Sequence, residues 1–275
     1  MNKLSQQKRA QVVAALVEGN SIRSTVRMTG VCKKAVLKLL VDLGIAYAKY
    51  QHDKLRGLHC ERIQCDEIWS FCYAKEKNVP HELKGRFGFG DVWTWMAIDA
   101  DTKLVPCWMV GERNLDCAIK FIDDLASRLA HRIQLTTDGH RAYLEAVEGA
   151  FGSEIDYAML QKLYASPSQE GTTRYSPAHC CGTRRETIIG HPDMANISTS
   201  YVERQNLTMR MHMRRFTRLT NAFSKKVENH RHAVALHYMY YNFVKIHQSI
   251  RVTPAMEAGV ADHVWSIEEI VGLLN

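Results

Sequence analysis

Three carboxylates from distant parts of this sequence could hold a metal ion: Asp66, Asp138 and Glu203. Asp66 lies inside a stretch of period two. Ile63, Cys65, Trp69, Phe71 and Tyr73 share one face, and Gln64, Asp66, Ile68 and Ser70 share the other. That alternation, rich in aromatics, predicts a strand. A carboxylate in mid-strand is costly to bury without a partner, so Asp66 needs either a cation such as an arginine or a metal ion shared with other acids. Asp138 follows the apolar run Ile133–Thr137, and Glu203 opens a helix that begins near Tyr201. Such an all-oxygen donor set suits Mg²⁺ or Mn²⁺. Two such ions can activate a water or a sugar hydroxyl and stabilise the leaving oxygen of a phosphodiester. Each acid also has a purely structural reading. Asp66 is then a paired acid, Asp138 the Asp of an Asp-Gly turn, and Glu203 the partner of Ser200 in a Ser-x-x-Glu capping box.

The elements that must position these groups follow from periodicity. Strands are expected at about 62–73, 92–100, 104–111 and 133–137, and at 156–164. Helices are expected at 114–131, 140–147, 201–216 and 224–246. Thr253-Pro254 is a cap and first-turn pair for a short helix, and Ser266-x-x-Glu269 is a capping box for another. This order predicts an α/β fold, a mixed sheet flanked by helices. Residues 165–200, rich in Ser, Thr, Gly and Pro, read as a long loop. It carries Arg174, Arg184 and Arg185. Its His179, Cys180, Cys181 and His191 fit no structural zinc spacing.

The N-terminal part is all-helical. A helix at 4–18, a short one at 22–28, a turn at Thr29-Gly30 and a third from Cys32 to Leu43, stopped by Gly44, form the helix-turn-helix pattern. Lys33, Lys34 and Lys38 would face DNA. Residues 1–60 carry eleven Lys/Arg against three Asp/Glu, and 201–232 carry eight against two. Two basic blocks in a chain of net charge +7 point to a polyanion. No stretch approaches the length of a membrane span, and residues 1–20 carry no apolar signal-peptide core, so an intracellular protein is expected. Eight cysteines without a CxxC pair argue against a disulfide framework and fit a reducing compartment. The domains expected are 1–50 helix-turn-helix, 51–60 linker, 61–248 catalytic and 249–275 helical tail.

Three motifs carry a resemblance. Thr137-Asp138-Gly139-His140-Arg141-Ala142-Tyr143 resembles the second-carboxylate motif of DDE transposases, close to the insertion-sequence-one family. So does Ser198-Thr199-Ser200-Tyr201-Val202-Glu203-Arg204-Gln205-Asn206-Leu207, continuing through 214–226. The tail Tyr241-Asn242-Phe243, His247-Gln248 and Thr253-Pro254-Ala255-Met256 looks like an ending shared among DDE families. The resemblance implies an RNase H-like core with Asp66, Asp138 and Glu203 as the triad, holding two Mg²⁺ or Mn²⁺ ions. It also implies metal-dependent strand cleavage and strand transfer on double-stranded DNA at the inverted ends of an insertion sequence. Arg204, Arg210, Arg214, Arg215, Lys225 and Lys226 would hold phosphates, positioning without reading bases. A homodimer or higher oligomer on DNA and a cytoplasmic, nucleoid-associated protein are expected. The zinc-binding segment that often precedes the helix-turn-helix in this family has no counterpart here. The alternatives are a metal-dependent nuclease that stops at hydrolysis and a non-catalytic DNA-binding repressor derived from a transposase.

Overall fold

The computed structural model describes residues 4–164, 180–217 and 221–274. The alternating stretch around Asp66 is strand β1 (Arg62–Cys72). It is followed by β2 (Gly90–Asp99), β3 (Trp108–Gly111), β4 (Gln134–Thr137), β5 (Asp156–Tyr164) and β6 (Cys180–Ile189). These form one mixed sheet of order β3-β2-β1-β4-β5-β6. β2 runs antiparallel along the length of β1, whereas β4 runs parallel to it only from Arg62 to Cys65. β4 stops at Thr137, opposite Cys65, so β1 continues past it from Asp66 onward. Asp138 therefore emerges at the carboxyl end of a parallel strand, beside Asp66, where open α/β sheets bind ligands.

The α-helices are α1 (Gln6–Val17), α2 (Ile22–Thr29), α3 (Lys33–Lys54), α4 (Leu115–Ala126), α5 (Ala142–Phe151), α6 (Ser200–His212), α7 (Val227–Phe243), α8 (Pro254–Glu257) and α9 (Ile267–Gly272); α4 and α6 contact the sheet and α3 lies along α7. This is the expected mixed α/β sheet flanked by helices with a helical N-terminal region. The N-terminal pattern forms as predicted at its turn. Gly30, at φ 70°, takes the left-handed conformation that ends α2 and donates its N–H to the Val26 carbonyl. Asn114 caps α4, Thr253 caps α8, and the capping box at Ser266 and Glu269 is complete.

Four expectations change. First, β3 begins at Trp108 rather than 104. Pro106 has no N–H to give to a ladder, and the neighbouring Val105 N–H is taken by the Asn242 side chain of α7 at 3.0 Å. Second, the segment read as a loop at 165–200 contains β6, an edge strand paired antiparallel with β5. Its residues are exposed or half-buried throughout, so no alternation marks it. Arg174 and His179 lie outside the described residues. Third, the helix expected over 201–216 ends at His212 and continues as a 3-10 turn at Arg214–Phe216. Fourth, Gly44 does not end α3. The helix runs ten residues further, to Lys54, into the segment read as a linker at 51–60.

The reason for the last change is packing. Val36, Leu40, Leu43, Tyr47 and Gln51 form a buried stripe that continues through Gly44. There α3 lies against α7, and a side chain at 44 would come within 2.7 Å of the His232 Cα. The stripe, the sheet interior, α7 and α9 belong to one continuous apolar core, which reaches from Val12 to Val271. In an ordinary helix interior, Gly→Ala stabilises by about 1 kcal/mol. Here Gly44→Ala should destabilise by about 1–3 kcal/mol through overpacking. Urea unfolding of the two proteins decides the sign, and a more stable Gly44→Ala would show that α3 does not need this close approach to α7.

Candidate metal centre

Two side chains of β1 fasten α6 to the sheet. The Gln64 Oε1 accepts from the backbone N–H of Tyr201 at 2.9 Å and of Val202 at 3.1 Å. It thereby caps orphan amides of the helix from another element. Two residues on, the Asp66 Oδ2 accepts from the Asn206 side-chain amide at 2.8 Å. The capping box expected between Ser200 and Glu203 does not form: Thr199 is the N-cap residue, and its hydroxyl donates to the Glu203 Oε1 at 2.6 Å. Ser200 is already inside the helix, one residue too late to cap it. The other Glu203 oxygen is bound by Lys162 of β5.

The carboxylates of Asp66, Glu67 and Asp138 each offer an oxygen within 4.8 Å of the other two. Among the described residues they are the one grouping of three His, Cys, Asp or Glu side chains so placed. Asp66 and Glu67 leave β1 on opposite faces, and they meet Asp138 because β4 ends there. The Asp66 Oδ1 is held by the Glu67 N–H at 2.8 Å, and the Asp138 Oδ1 by the His140 N–H at 3.0 Å. Arg113, just before α4, donates to Glu67 at 3.1 Å and reaches Asp138 at 3.4 Å, with its guanidinium 5.0 Å from the centre of the Trp93 ring. The Glu67 side chain is completely shielded from solvent, and the buried Tyr143 side chain acts on its carboxylate.

Crowding shows in the proton affinities. Burial, followed by the charges of Asp138 and Glu67, pushes Asp66 up to about 7, and Glu203 adds a smaller push. Burial and Asp138 push Glu67 up to about 7 against the opposing pull of Tyr143 and Arg113. Three crowded carboxylates, all hard donors, fit a divalent cation.

Of the sequence-expected triad, the structure brings Asp66 and Asp138 together. It places Glu203 near enough to act on the charge of Asp66, with its own oxygens engaged by Thr199 and Lys162. Glu67, Arg113, Gln64 and Asn206 were not singled out in the sequence. Asn206 had a readable signal, since it lies three residues after Glu203 and shares its helix face. Lys33, Lys34 and Lys38 are exposed at the start of α3, although Lys38 is paired with Asp42 at 2.7 Å. Arg204, Arg214, Lys225 and Lys226 are exposed, whereas Arg210 and Arg215 are partly buried.

The raised carboxyls predict a pH dependence in the absence of divalent ions. Folded, Asp66 and Glu67 keep their protons to about pH 7; unfolded, they lose them near pH ~4. Between these values the unfolded chain binds fewer protons, so stability falls as pH rises and levels off above the folded values. Denaturation in EDTA across this window should show that decline, and Asp66→Asn should make it shallower. Identical profiles for the two proteins would mean that Asp66 is ionised throughout. A divalent ion should stabilise the wild type more at the alkaline end than at the acidic end.

Residues 185–245 match the sequence family described as IS1 transposase. No curated protein matches the chain. Among solved structures, it is similar to the piggyBac transposase in a synaptic complex with hairpin DNA, at 11% identity and a TM-score of 0.44. That likeness covers 99% of this chain and 71% of the other. It is also similar to the Mos1 transposase in a paired-end complex with the left transposon end, at 13% identity and a TM-score of 0.24, over 56% of this chain and 60% of the other. Likeness at that level does not carry residue roles across. The family match begins within β6, runs through α6 and α7, and includes Glu203.

Proposed function

We propose that this chain cuts DNA at the inverted ends of a mobile element and directs the freed 3′-hydroxyl to attack a phosphodiester of a second duplex, joining the two as the target's 3′-oxygen leaves. The observation that carries this reading is the meeting of Asp66 and Asp138 at the carboxyl end of β4, beside the helix whose sequence matches the IS1 transposases. Asp66 and Asp138 would hold Mg²⁺ or Mn²⁺, and Glu203 would join them by exchanging Lys162 for the ion. Bound there, the metal supplies Lewis-acid stabilisation of phosphoryl oxygens and lowers the pKa of the attacking water or hydroxyl.

The chain's own groups prepare the site. Gln64 and Asn206 hold α6 at β1, so that Glu203 stays within reach of Asp66. Thr199 fixes one Glu203 oxygen and leaves the other to Lys162. Arg113, clamped between Glu67 and Asp138, limits the repulsion that would otherwise drive the acids apart. Arg204, exposed on α6 one residue after Glu203, would meet a phosphate near the carboxylates. Double-stranded DNA is the partner of this reading, as element end and as target, with two or more copies of the chain assembling on it.

Glu203→Gln separates this reading from a structural one. The amide can still accept from Thr199, so stability should stay within about 1 kcal/mol of the wild type. It cannot supply the negative charge that a hard divalent cation needs, so metal-dependent nicking of element-end DNA and joining to a second duplex should both fall by orders of magnitude. Asp66→Asn should behave likewise, with duplex binding retained. Wild-type nicking by a stable Glu203→Gln removes Glu203 from the chemistry. Nicking by the wild type without joining selects a nuclease, and neither reaction in the wild type selects a DNA-binding protein without catalysis.

A further inference from the structure

A cleft of about 1060 Å³ separates the N-terminal helices from the segment that joins α6 to α7. Five permanent cations line it: Arg23 on α2, Lys33 at the start of α3, Arg214 and Arg215 in the 3-10 turn after α6, and Lys225 just before α7. Among the described residues, no Asp or Glu lines it. No described carboxylate forms an ion pair with any of the five. Exposed lysines without partners are ordinary, because water solvates them. Arg215 is different.

Arg215 keeps some contact with solvent through the cleft, but its guanidinium is desolvated enough to lower its pKa to about 10. It donates to the Ser224 hydroxyl at 2.8 Å. Behind Ser224 the chain offers only neutral groups. The Ser224 Oγ is 2.9 Å from the His230 Nδ1, the His230 Nε2 is 3.2 Å from the Ser70 hydroxyl, and Ser70 donates to the Val92 carbonyl at 3.0 Å. Burial, with Arg215 adding to it, pushes His230 down to about 3, so that ring is neutral at physiological pH. A desolvated cation backed by a neutral network is costly to hold unless an anion faces it. The open side of Arg215 is the cleft, where none of the described residues supplies an anion.

The shape favours a chain of anions over a single one. The five cations come from four elements around a cleft far larger than one phosphate ion. The cleft also has a fixed relation to the carboxylates. Glu203 lies in the first turn of α6, and His212, the last residue of that helix, lines the cleft. Nine residues of helix span about 14 Å, or roughly four base-pair steps along one DNA strand. We propose that this cleft seats the sugar-phosphate backbone of duplex DNA about four base-pair steps from the carboxylate site, with Arg215 as its desolvated anchor. The proposal rests on the transposase reading for the identity of that DNA. It also makes the N-terminal helices and the core two jaws of one grip.

The test uses the full chain, a fluorescently labelled duplex, EDTA and a series of salt concentrations. Binding through backbone phosphates weakens with salt, with a slope of about 0.9 per phosphate neutralised. The double variant Arg23→Gln/Lys225→Gln changes two exposed or half-exposed walls of the cleft and spares Arg215, whose loss threatens folding. Its slope should be lower than that of the wild type by about 2. The charge-matched variant Lys77→Gln/Lys84→Gln, in the loop between β1 and β2, should keep the wild-type slope. Equal slopes for the wild type and the cleft variant overturn the proposal. So does a rise in melting temperature with inorganic phosphate alone, lost in the cleft variant, if duplex binding is the same in both proteins; the ligand is then a free phosphate. Element-end cleavage with equal slopes keeps the transposase reading and discards the cleft. A slope difference in a wild type that never cleaves keeps the cleft and discards that reading.

Discussion

The attachment of α6 to β1 at two points is the constraint on which the candidate site depends. Gln64 and Asp66 are two residues apart on one face of a strand, a separation of about 6.6 Å. The groups they hold, the first amides of α6 and the Asn206 side chain, are four to five residues apart on a helix, or about 6–7.5 Å. The two rises match, so α6 must run alongside β1 in the same direction and cannot slide by a residue without breaking both contacts. Glu203 lies between the two attachment points. Its distance from Asp66 is thus set by the geometry of two regular elements and not by a loop. Gln64 also answers an accounting problem, because the first amides of a helix that starts against a sheet must find acceptors in the protein.

The same strand supplies the electrostatic problem that the site presents. A period of two sends Asp66 and Glu67 to opposite faces, which would normally keep them apart. They converge on Asp138 only because β4 is four residues long and leaves the edge of β1 open at that height. Arg113 relieves part of the crowding through Glu67 and Asp138. Asp66 itself is bound by an amide and a backbone N–H, neither of which carries a charge. An arginine partner, the structural explanation for a mid-strand acid, is therefore present in the site but serves the neighbours of Asp66. This is the physical case for a cation that none of the described residues supplies to Asp66.

What the sequence revealed follows from which forces leave a local mark. β1, β2, β5 and α4 were legible because each buries one face or both, and burial writes itself as periodicity. The turn at Gly30 and the capping box at Ser266 were legible because a few residue types satisfy those backbone needs. β6 was not, since an edge strand exposed on both sides has no hydrophobic pattern to show. Gly44 misled for a definable reason. A glycine after an apolar run marks a helix end when the backbone must turn left-handed, and here it marks the close approach of a second helix, information that resides near His232. At the site, Asp66 was legible as a costly mid-strand acid and Asp138 as an acid at the end of a strand. Glu67 was not, because alternation assigned it to the other face and said nothing of where β4 would end. Arg113 and Gln64 act through partners that are remote in sequence, and local pattern cannot show such pairs.

Gly44 has a consequence for the charge distribution. If α3 had ended there, the basic N-terminal helices would have formed a separate body, and their lysines one DNA-facing surface distinct from the cations after α6. Because α3 continues along α7 for ten more residues, both helices share a core that also holds the sheet. The N-terminal residues Arg23 and Lys33 then face Arg214, Arg215 and Lys225 across one cleft, although about 180 residues of chain separate the two groups. Two basic blocks in the sequence become the two sides of a single basic surface. Bringing like charges to opposing walls raises the energy of the folded chain by self-repulsion, an effect that is small in salt and relieved by a polyanion. Apolar packing between α3 and α7 imposes this arrangement, and the helices cannot separate their charges without exposing the Val36–Gln51 stripe.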